Sequence, residues 1–214
     1  MVFVILIIAG YLLGSIPFGL IIAAAHGKDL RSIGSGNTGA TNLSRAVGRR
    51  WGYACFVLDA AKGALVMLIA SRFVSSPPSV SQLLLWLAAG CAAILGHIFP
   101  IYVKFRGGKG VATSFGVALG LWPYYTVCAA SALVIWVAAV LLWRYVSLAS
   151  IIASITFPVT VILVIALIPG WSLNVLWPLL VTGIILPVVV IVRHRENIKR
   201  LIAGTESKVL QGKT

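Results

Sequence analysis

The chain has 214 residues, 60% hydrophobic and only 10% charged, with a mean hydropathy of +1.06. Soluble domains carry roughly a quarter charged residues, so this composition excludes them and specifies one polytopic membrane domain over 1–214. The net charge of +13 sets 17 Lys and Arg against four acids, Asp29, Asp59, Glu196 and Glu206; positive-inside bias, anionic lipid heads or anionic substrates would each account for such an excess.

Apolar runs long enough to cross about 30 Å of hydrocarbon fall near 2–25, 51–71, 82–102, 148–168 and 175–192. The first could be mistaken for a secretory signal ending at Ala23-Ala24-Ala25. It lacks a basic n-region and its apolar stretch is too long, so it is expected to be a retained span. The run from 111 to 143 would reach about 50 Å as one helix, and Trp122-Pro123 interrupts it. Charge decides how it crosses. Lys28, Arg31, Arg45, Arg49 and Arg50, then Lys104, Arg106 and Lys109, then Arg144, then Arg193, Arg195, Lys199, Arg200, Lys208 and Lys213 all share one side if this run crosses twice. Only Arg72 then lies opposite, with Lys62 inside a span. The expected fold is therefore all-α with seven transmembrane helices, N-terminus out and C-terminus in, and one short helix after residue 110. The connections at Ser75-Ser76-Pro77-Pro78 and Pro169-Gly170 are plain turns. No internal repeat or low-complexity tail is visible.

Three polar stretches collect on the basic side. Gly34-Ser35-Gly36-Asn37-Thr38-Gly39-Ala40-Thr41-Asn42 precedes Arg45, with no bulky side chain before Leu43. Glycines let N–H groups approach a ligand closely, hydroxyls and amides add donors, and Arg offers a fork for phosphate oxygens. A linker would have the same composition, but lying between two spans favours a phosphate cradle. Lys104-Phe105-Arg106-Gly107-Gly108-Lys109-Gly110 opens the short helix. A Walker A loop needs Ser or Thr directly after its Lys; Gly110 stands there, which argues against nucleotide hydrolysis and leaves a cationic glycine-rich turn at a helix N-terminus. His194 to Glu206 forms a short amphipathic helix ended by Gly204, with an apolar face of Ile198, Leu201 and Ile202. His194 and Asn197 share a face, and Glu196 can pair with Arg200 at i, i+4.

Within the spans, Asp59 and Lys62 are three apart and can neutralise each other. Ser147 lies on the basic edge, and His97 near the end of the third span has the setting of a buried, satisfied histidine. Cys55, Cys91 and Cys128 sit in apolar segments with no C-x-x-C or clustered His, the pattern of buried small hydrophobes.

Gly14-Ser15-Ile16-Pro17-Phe18-Gly19, Gly34–Asn42 with Arg45, Asp59-Ala-Ala-Lys62-Gly63, Gly96-His97-Ile98-Phe99-Pro100, Phe105–Thr113, Arg144–Ser147 and His194–Ile198 occur in this order. Together they resemble the bacterial acyl-phosphate:glycerol-3-phosphate acyltransferases, the PlsY family, across nearly the whole chain. Two positions depart from the family pattern, Thr38 in place of an aliphatic residue and Ser44 before Arg45. The resemblance implies a seven-helix enzyme of the bacterial inner membrane with its site on the cytoplasmic side. It would move a fatty acyl group from acyl phosphate to the sn-1 hydroxyl of glycerol 3-phosphate, giving lysophosphatidate and phosphate. By motif match, Ser35, Arg45, Lys104, Ser147, His194 and Asn197 would hold glycerol 3-phosphate. Asn37, Gly39, Ala40, Thr41, Asn42 and Lys109 would hold the acyl-phosphate head. No side chain is expected as an obligatory base, with His194 in reserve, and no cofactor or metal is implied. The expected partners are the two substrates and the lipid bilayer, not nucleic acid; delivery of the donor by an acyl-phosphate synthase is left open.

The residue chemistry agrees. Acyl phosphate is already activated, so positioning and charge stabilisation can carry most of the rate. A transporter of phosphorylated metabolites is the rival from another class, but transporters favour inverted repeats and a midplane site. A non-catalytic lipid-binding scaffold would leave three polar motifs without a use.

Overall fold

The computed structural model describes residues 1–209; Lys213, counted above among the basic-side cations, lies outside the described residues. Every regular element among those residues is helical. Six helices are long and apolar enough to cross a membrane: Val2–Ala25, Arg49–Ser71, Val80–Val103, Thr126–Trp143, Val146–Leu167 and Leu173–Arg193. Between the third and fourth, Val111–Gly120 has 10 residues, about 15 Å at helical rise and half of a hydrocarbon core. Leu142, Val134, Leu167 and Leu163 are exposed. A soluble protein would bury such side chains; lipid receives them.

Contacts divide the chain into two compact units, Met1–Trp122 and Pro123–Thr214. In the first, the N-terminal span is a broken helix rather than one continuous rod. α1 (Val2–Gly14) and α2 (Phe18–Ala25) are separated at Ser15-Ile16-Pro17. Proline removes a main-chain donor and clashes with the preceding turn, and at this break the Ile16 carbonyl accepts from Phe18 N–H at 3.2 Å and from Lys62 Nζ at 2.9 Å. α3 (Ala40–Val47) ends at Gly48, whose φ of +106° suits glycine. α4 (Arg49–Ser71) follows directly, and α5 (Val80–Ile98) starts with a capping box between Ser79 and Gln82. α6 (Val111–Gly120) opens at Gly110 with φ +89°.

These helices meet through missing side chains. A Cβ on Gly14 would lie 2.1 Å from the Ala93 carbonyl oxygen, so α1 and α5 touch backbone to backbone. One on Gly116 would lie 1.8 Å from Ala60 O, and one on Gly63 2.4 Å from Thr113 O, so α4 and α6 do the same. Lipid supplies no hydrophobic drive between helices, so close approach of small residues is what holds them. Trp86 Nε1 donates to Met67 O at 3.0 Å, fastening α5 to α4.

The second unit contains α7 (Thr126–Trp143), α8 (Val146–Leu167), α9 (Leu173–Arg193) and α10 (Arg195–Ile202). Arg144, at φ +63°, makes the reversal between α7 and α8, and Trp136 Nε1 donates to Ser150 Oγ across it at 3.1 Å. The Tyr125 hydroxyl donates to the Leu179 carbonyl, tying the start of α7 to α9. On α10, Ile198 and Leu201 are half-buried but Ile202 is exposed, so the apolar face is narrower than its spacing suggested. The chain then turns at Gly204 and returns, with Val209 N–H donating to Arg144 O at 2.8 Å. Cys55 and Cys128 are buried free thiols; Cys91 is free and only half-buried.

Candidate active site

In the first unit the stretch 34–42 is a shaped loop, not a linker. Leu30 and Leu43 are fully buried with Ala23 and Cys55, which pins both ends of the loop to α2 and α4. Asn42 organises the interior. Its Oδ1 accepts from Ser35 N–H at 3.1 Å, and its Nδ2 donates to Leu30 O at 3.0 Å and Ile33 O at 2.9 Å. Gly34 must be glycine there: its φ is +57°, and a Cβ would fall 2.5 Å from Asn42 Oδ1. Asn37 Oδ1 accepts from Gly39 N–H at 3.0 Å, placing Ala40 and Thr41 in the first turn of α3, where helical amides have no intrahelical acceptor. Arg45 is one turn further along the same helix, with its side chain exposed.

The second glycine-rich stretch folds back on the end of α5. Gly107 N–H donates to Ile98 O at 3.2 Å, and Gly108 N–H to His97 O at 3.1 Å. Lys104 and Phe105 stand at φ +56° and +59°, a left-handed conformation that costs non-glycine residues roughly 1–2 kcal/mol each. The turn therefore presents Lys104 to solvent under strain, with Phe105 N–H held by Pro100 O at 2.9 Å. Arg31 joins the two loops, its guanidinium donating to Val103 O at 3.3 Å and Arg106 O at 3.4 Å. Ser35, Asn37, Gly39, Ala40, Thr41, Asn42, Arg45, Lys104 and Lys109 thus belong to one pair of bridged loops.

Beneath these loops lies a buried charged group. Lys62 Nζ is 2.7 Å from Asp59 Oδ1, as their spacing predicted, and His97 Nδ1 is 3.4 Å from the same oxygen.

In the second unit, Ser147, His194 and Asn197 are all buried. His194 Nδ1 is 2.8 Å from Val190 O. A carbonyl can only accept, so Nδ1 carries a proton. A neutral ring then has its lone pair on Nε2, and a cationic ring has a second N–H there. Ser147 and Asn197 converge on a residue outside the predicted set: Glu206 Oε1 accepts from Ser147 Oγ at 2.7 Å and from Asn197 Nδ2 at 2.6 Å. Its Oε2 accepts from Arg200 Nε at 2.6 Å. The expected Glu196–Arg200 pair is therefore not formed. Glu196 is exposed and lies 3.4 Å from Lys199 and 3.6 Å from Arg195, while Arg200 turns to the carboxylate delivered by the returning chain.

A family profile described as "Glycerol-3-phosphate acyltransferase" matches residues 4–204. The chain belongs to the glycerol-3-phosphate acyltransferase family. The glycerol-3-phosphate acyltransferase of Geotalea daltonii is 44% identical over 205 residues, 95% of this chain and 96% of that one. The one from Aquifex aeolicus is 42% identical over 203 residues, 95% and 97% of the two chains. The crystal structure of PlsY, an integral membrane glycerol 3-phosphate acyltransferase, in its glycerol 3-phosphate form has a TM-score of 0.83 at 39% identity, covering 97% of this chain and 96% of that one. Its lysophosphatidic acid form gives 0.81 at 38% identity, covering 97% and 95%. This acyltransferase family member is an all-helical integral membrane enzyme.

Three contributors to its polar architecture escaped sequence reasoning: Arg31, His97 as a partner of Asp59, and Glu206. Glu206 had one sequence signal, being the only acid after Glu196 in a strongly basic tail. Burial alone would raise its pKa, but hydrogen bonds from Ser147, Asn197 and Arg200, with the Arg200 charge, together outweigh it and hold the carboxyl below its ordinary 4.5. A carboxyl so depressed stabilises the fold fully above its unfolded pKa and loses that contribution as pH falls through the folded one. Glu206→Gln should therefore be less stable by about 1–3 kcal/mol at neutral pH. Thermal unfolding of purified protein from pH 8 to pH 3 should show that deficit constant down to about pH 5.5 and shrinking below the ordinary carboxyl pKa of 4.5. A deficit that did not change with acidification would show that the charge of Glu206 contributes nothing.

Proposed function

We propose that the acyl donor is acyl phosphate, and that its head is held by Asn37, Gly39, Ala40, Thr41, Asn42 and Lys109. The observation that carries this is the pair of glycine-rich loops bridged by Arg31. Their amides and cations suit the compact phosphate head of an acyl phosphate and leave no obvious use with a thioester. Asn42 contributes by shaping the loop, since its amide group is already engaged there. Glycerol 3-phosphate, the acceptor after which the family is named, is assigned to Ser35, Arg45, Lys104, Ser147, His194 and Asn197.

The reaction balances without a covalent intermediate. The sn-1 oxygen attacks the acyl carbonyl, the bond from that carbonyl to the phosphate oxygen breaks, and the alcohol proton passes to the departing phosphate. The products are 1-acyl-glycerol 3-phosphate and inorganic phosphate. Cations around both phosphates offset their mutual repulsion and stabilise charge on the leaving oxygen. His194 binds glycerol 3-phosphate as a cationic ring, donating from Nδ1 to Val190 and from Nε2 to the phosphate.

The enzyme works as one polytopic domain in the bacterial inner membrane. Fifteen cations support seven crossings with α6 as the short fourth, the N-terminus outside and both loops in the cytoplasm. A soluble phosphate and a long acyl chain can both reach a site at that edge. An acyl-phosphate synthase is the class of protein that would supply the donor.

Purified protein should release phosphate from acyl phosphate only when glycerol 3-phosphate is present, and should show no detectable transfer from acyl-CoA. None of His26, His97 and His194 has an Asp five residues on, so the His-x4-Asp pair of thioester-using acyltransferases is absent from the sequence. Comparable rates from both donors would sink the assignment, and phosphate release without acceptor would point to a hydrolase.

For orientation, single cysteines replacing Ser35, Arg106 and Ser207, all exposed, in a cysteine-free background should react with an impermeant reagent only in inside-out vesicles. One at Ser76 should react only in right-side-out vesicles. Labelling of positions 76 and 207 from the same face would refute seven crossings.

His194→Gln should mainly raise the glycerol 3-phosphate KM and leave a measurable kcat. With a neutral ring, Nε2 is also placed as a general base would be. A base role would instead lower kcat by about 10²–10⁴ and abolish a pH–rate limb near the histidine pKa, with KM unchanged. That pattern would make His194 the catalyst.

A further inference from the structure

Cys55, Asp59 and Lys62 occupy one face of α4 at i, i+4 and i+7, deep in a membrane-spanning helix. The mechanism above uses none of them, and ionisable groups at such depth are costly to retain. Their polar partners are one another, the break between α1 and α2, and His97 on α5. Lys62, bridged to Asp59 at 2.7 Å, donates to the Ile16 carbonyl and lies 5.6 Å from the centre of the Phe18 ring. That fixes the break between α1 and α2. Three residues on from Ile16, a Cβ on Gly19 would lie 1.9 Å from the Thr38 carbonyl oxygen, so this break is the wall against which the first loop rests.

On the other side, the same Asp59 oxygen is 3.4 Å from His97 Nδ1. The ring so oriented is the wall for the second loop: a Cβ on Gly108 would fall 2.1 Å from His97 Nε2, and one on Gly107 would fall 2.2 Å from His97 O. A narrow cleft is lined by Thr38 from one loop, Gly107 from the other, and Asp59, His97 and Ser15. The carboxylate thus reaches both loops through one cation and one imidazole.

We propose that Asp59 is a positioning residue for acyl transfer, setting the two glycine-rich loops against each other through Lys62 and His97. It does not touch substrate. It fixes how far Thr38-Gly39 stands from Gly107-Gly108, and so the span of the cradle that receives the phosphate head of the donor. This rests on the reading that these loops hold acyl phosphate. A buried ion pair can often be exchanged for neutral residues with no loss of stability, so a purely structural pair would be dispensable as a unit. A positioning pair would not be.

The test compares wild type with Asp59→Asn/Lys62→Met, which removes both charges at similar volume, and with His97→Asn, which leaves the ion pair intact. Each purified protein is examined for thermal unfolding and for separate KM values toward acyl phosphate and glycerol 3-phosphate. Folded variants should show the acyl-phosphate KM raised tenfold or more and the glycerol 3-phosphate KM within about twofold, because Ser35, Arg45 and Lys104 lie outside these contacts. Wild-type KM values in a folded double variant would overturn the inference, as would an equal rise in both. Should the double variant fail to fold, the same ratio in His97→Asn decides. A wild type inert toward acyl phosphate would defeat the donor assignment and this inference together. An active wild type whose variants keep its acyl-phosphate KM defeats this inference alone.

Discussion

Backbone contact between helices that lack side chains at their crossings is the constraint on which the first unit rests. In lipid an apolar side chain gains nothing by leaving its neighbours for another helix, so association depends on van der Waals contact and a few polar bonds. Gly14 against Ala93 and Gly116 against Ala60 bring backbones into direct contact. Overfilling a tight site costs about 1–3 kcal/mol even where the surroundings can shift, and here the obstructing atoms are main-chain. With α4 held this closely to α6, Asp59 and Lys62 on α4 reach His97 on α5 and the break between α1 and α2. The geometry of the polar edge is inherited from the glycines of the apolar interior.

The second constraint is electrostatic. Phosphate chemistry at a membrane edge demands positive charge without a carboxylate to neutralise it, and the chain has only four acids. Two of them are kept away from general use by close pairing: Asp59 with Lys62 and His97, and Glu206 with Ser147, Asn197 and Arg200. The other two, Asp29 and Glu196, are exposed. Lys104 and Arg45, both in the first unit, have exposed side chains. Within the second unit, hydroxyl, amide and guanidinium donors gather around the Glu206 carboxylate as they would around a phosphate.

Much of this was legible in the sequence because it follows from local chemistry. Length and apolarity placed five of the six long spans, and Trp122-Pro123 with the distribution of charge divided 111–143 into a short segment after residue 110 and a further span. The Asp59–Lys62 pair needed only helical spacing. Other features were illegible for a common reason, that the partner is far away in the chain. Pro17 signals a break, but nothing near it shows that Lys62, 46 residues on from Ile16, donates to the Ile16 carbonyl there. Local spacing offered Glu196 to Arg200, yet Glu206 wins because the turn at Gly204 returns it to a buried position facing three donors. Asn42, which the motif match offered as a ligand residue, is also the internal brace of its own loop through partners at Leu30, Ile33 and Ser35.

The sequence by itself determined that the chain lives in a membrane, which segments are apolar and long enough to cross it, and which stretches are rich in amides, hydroxyls and cations. It also carried the family, because those stretches are contiguous and ordered. Only the tertiary structure decided which polar groups are committed to one another and which remain for a ligand. A hydrogen bond is satisfied by whatever donor or acceptor folding brings within about 3 Å, and for Asp59, Asn42 and Glu206 that partner is chosen by helix crossings and chain reversals. Residue type fixes what a group can do; its neighbours in space fix what it does.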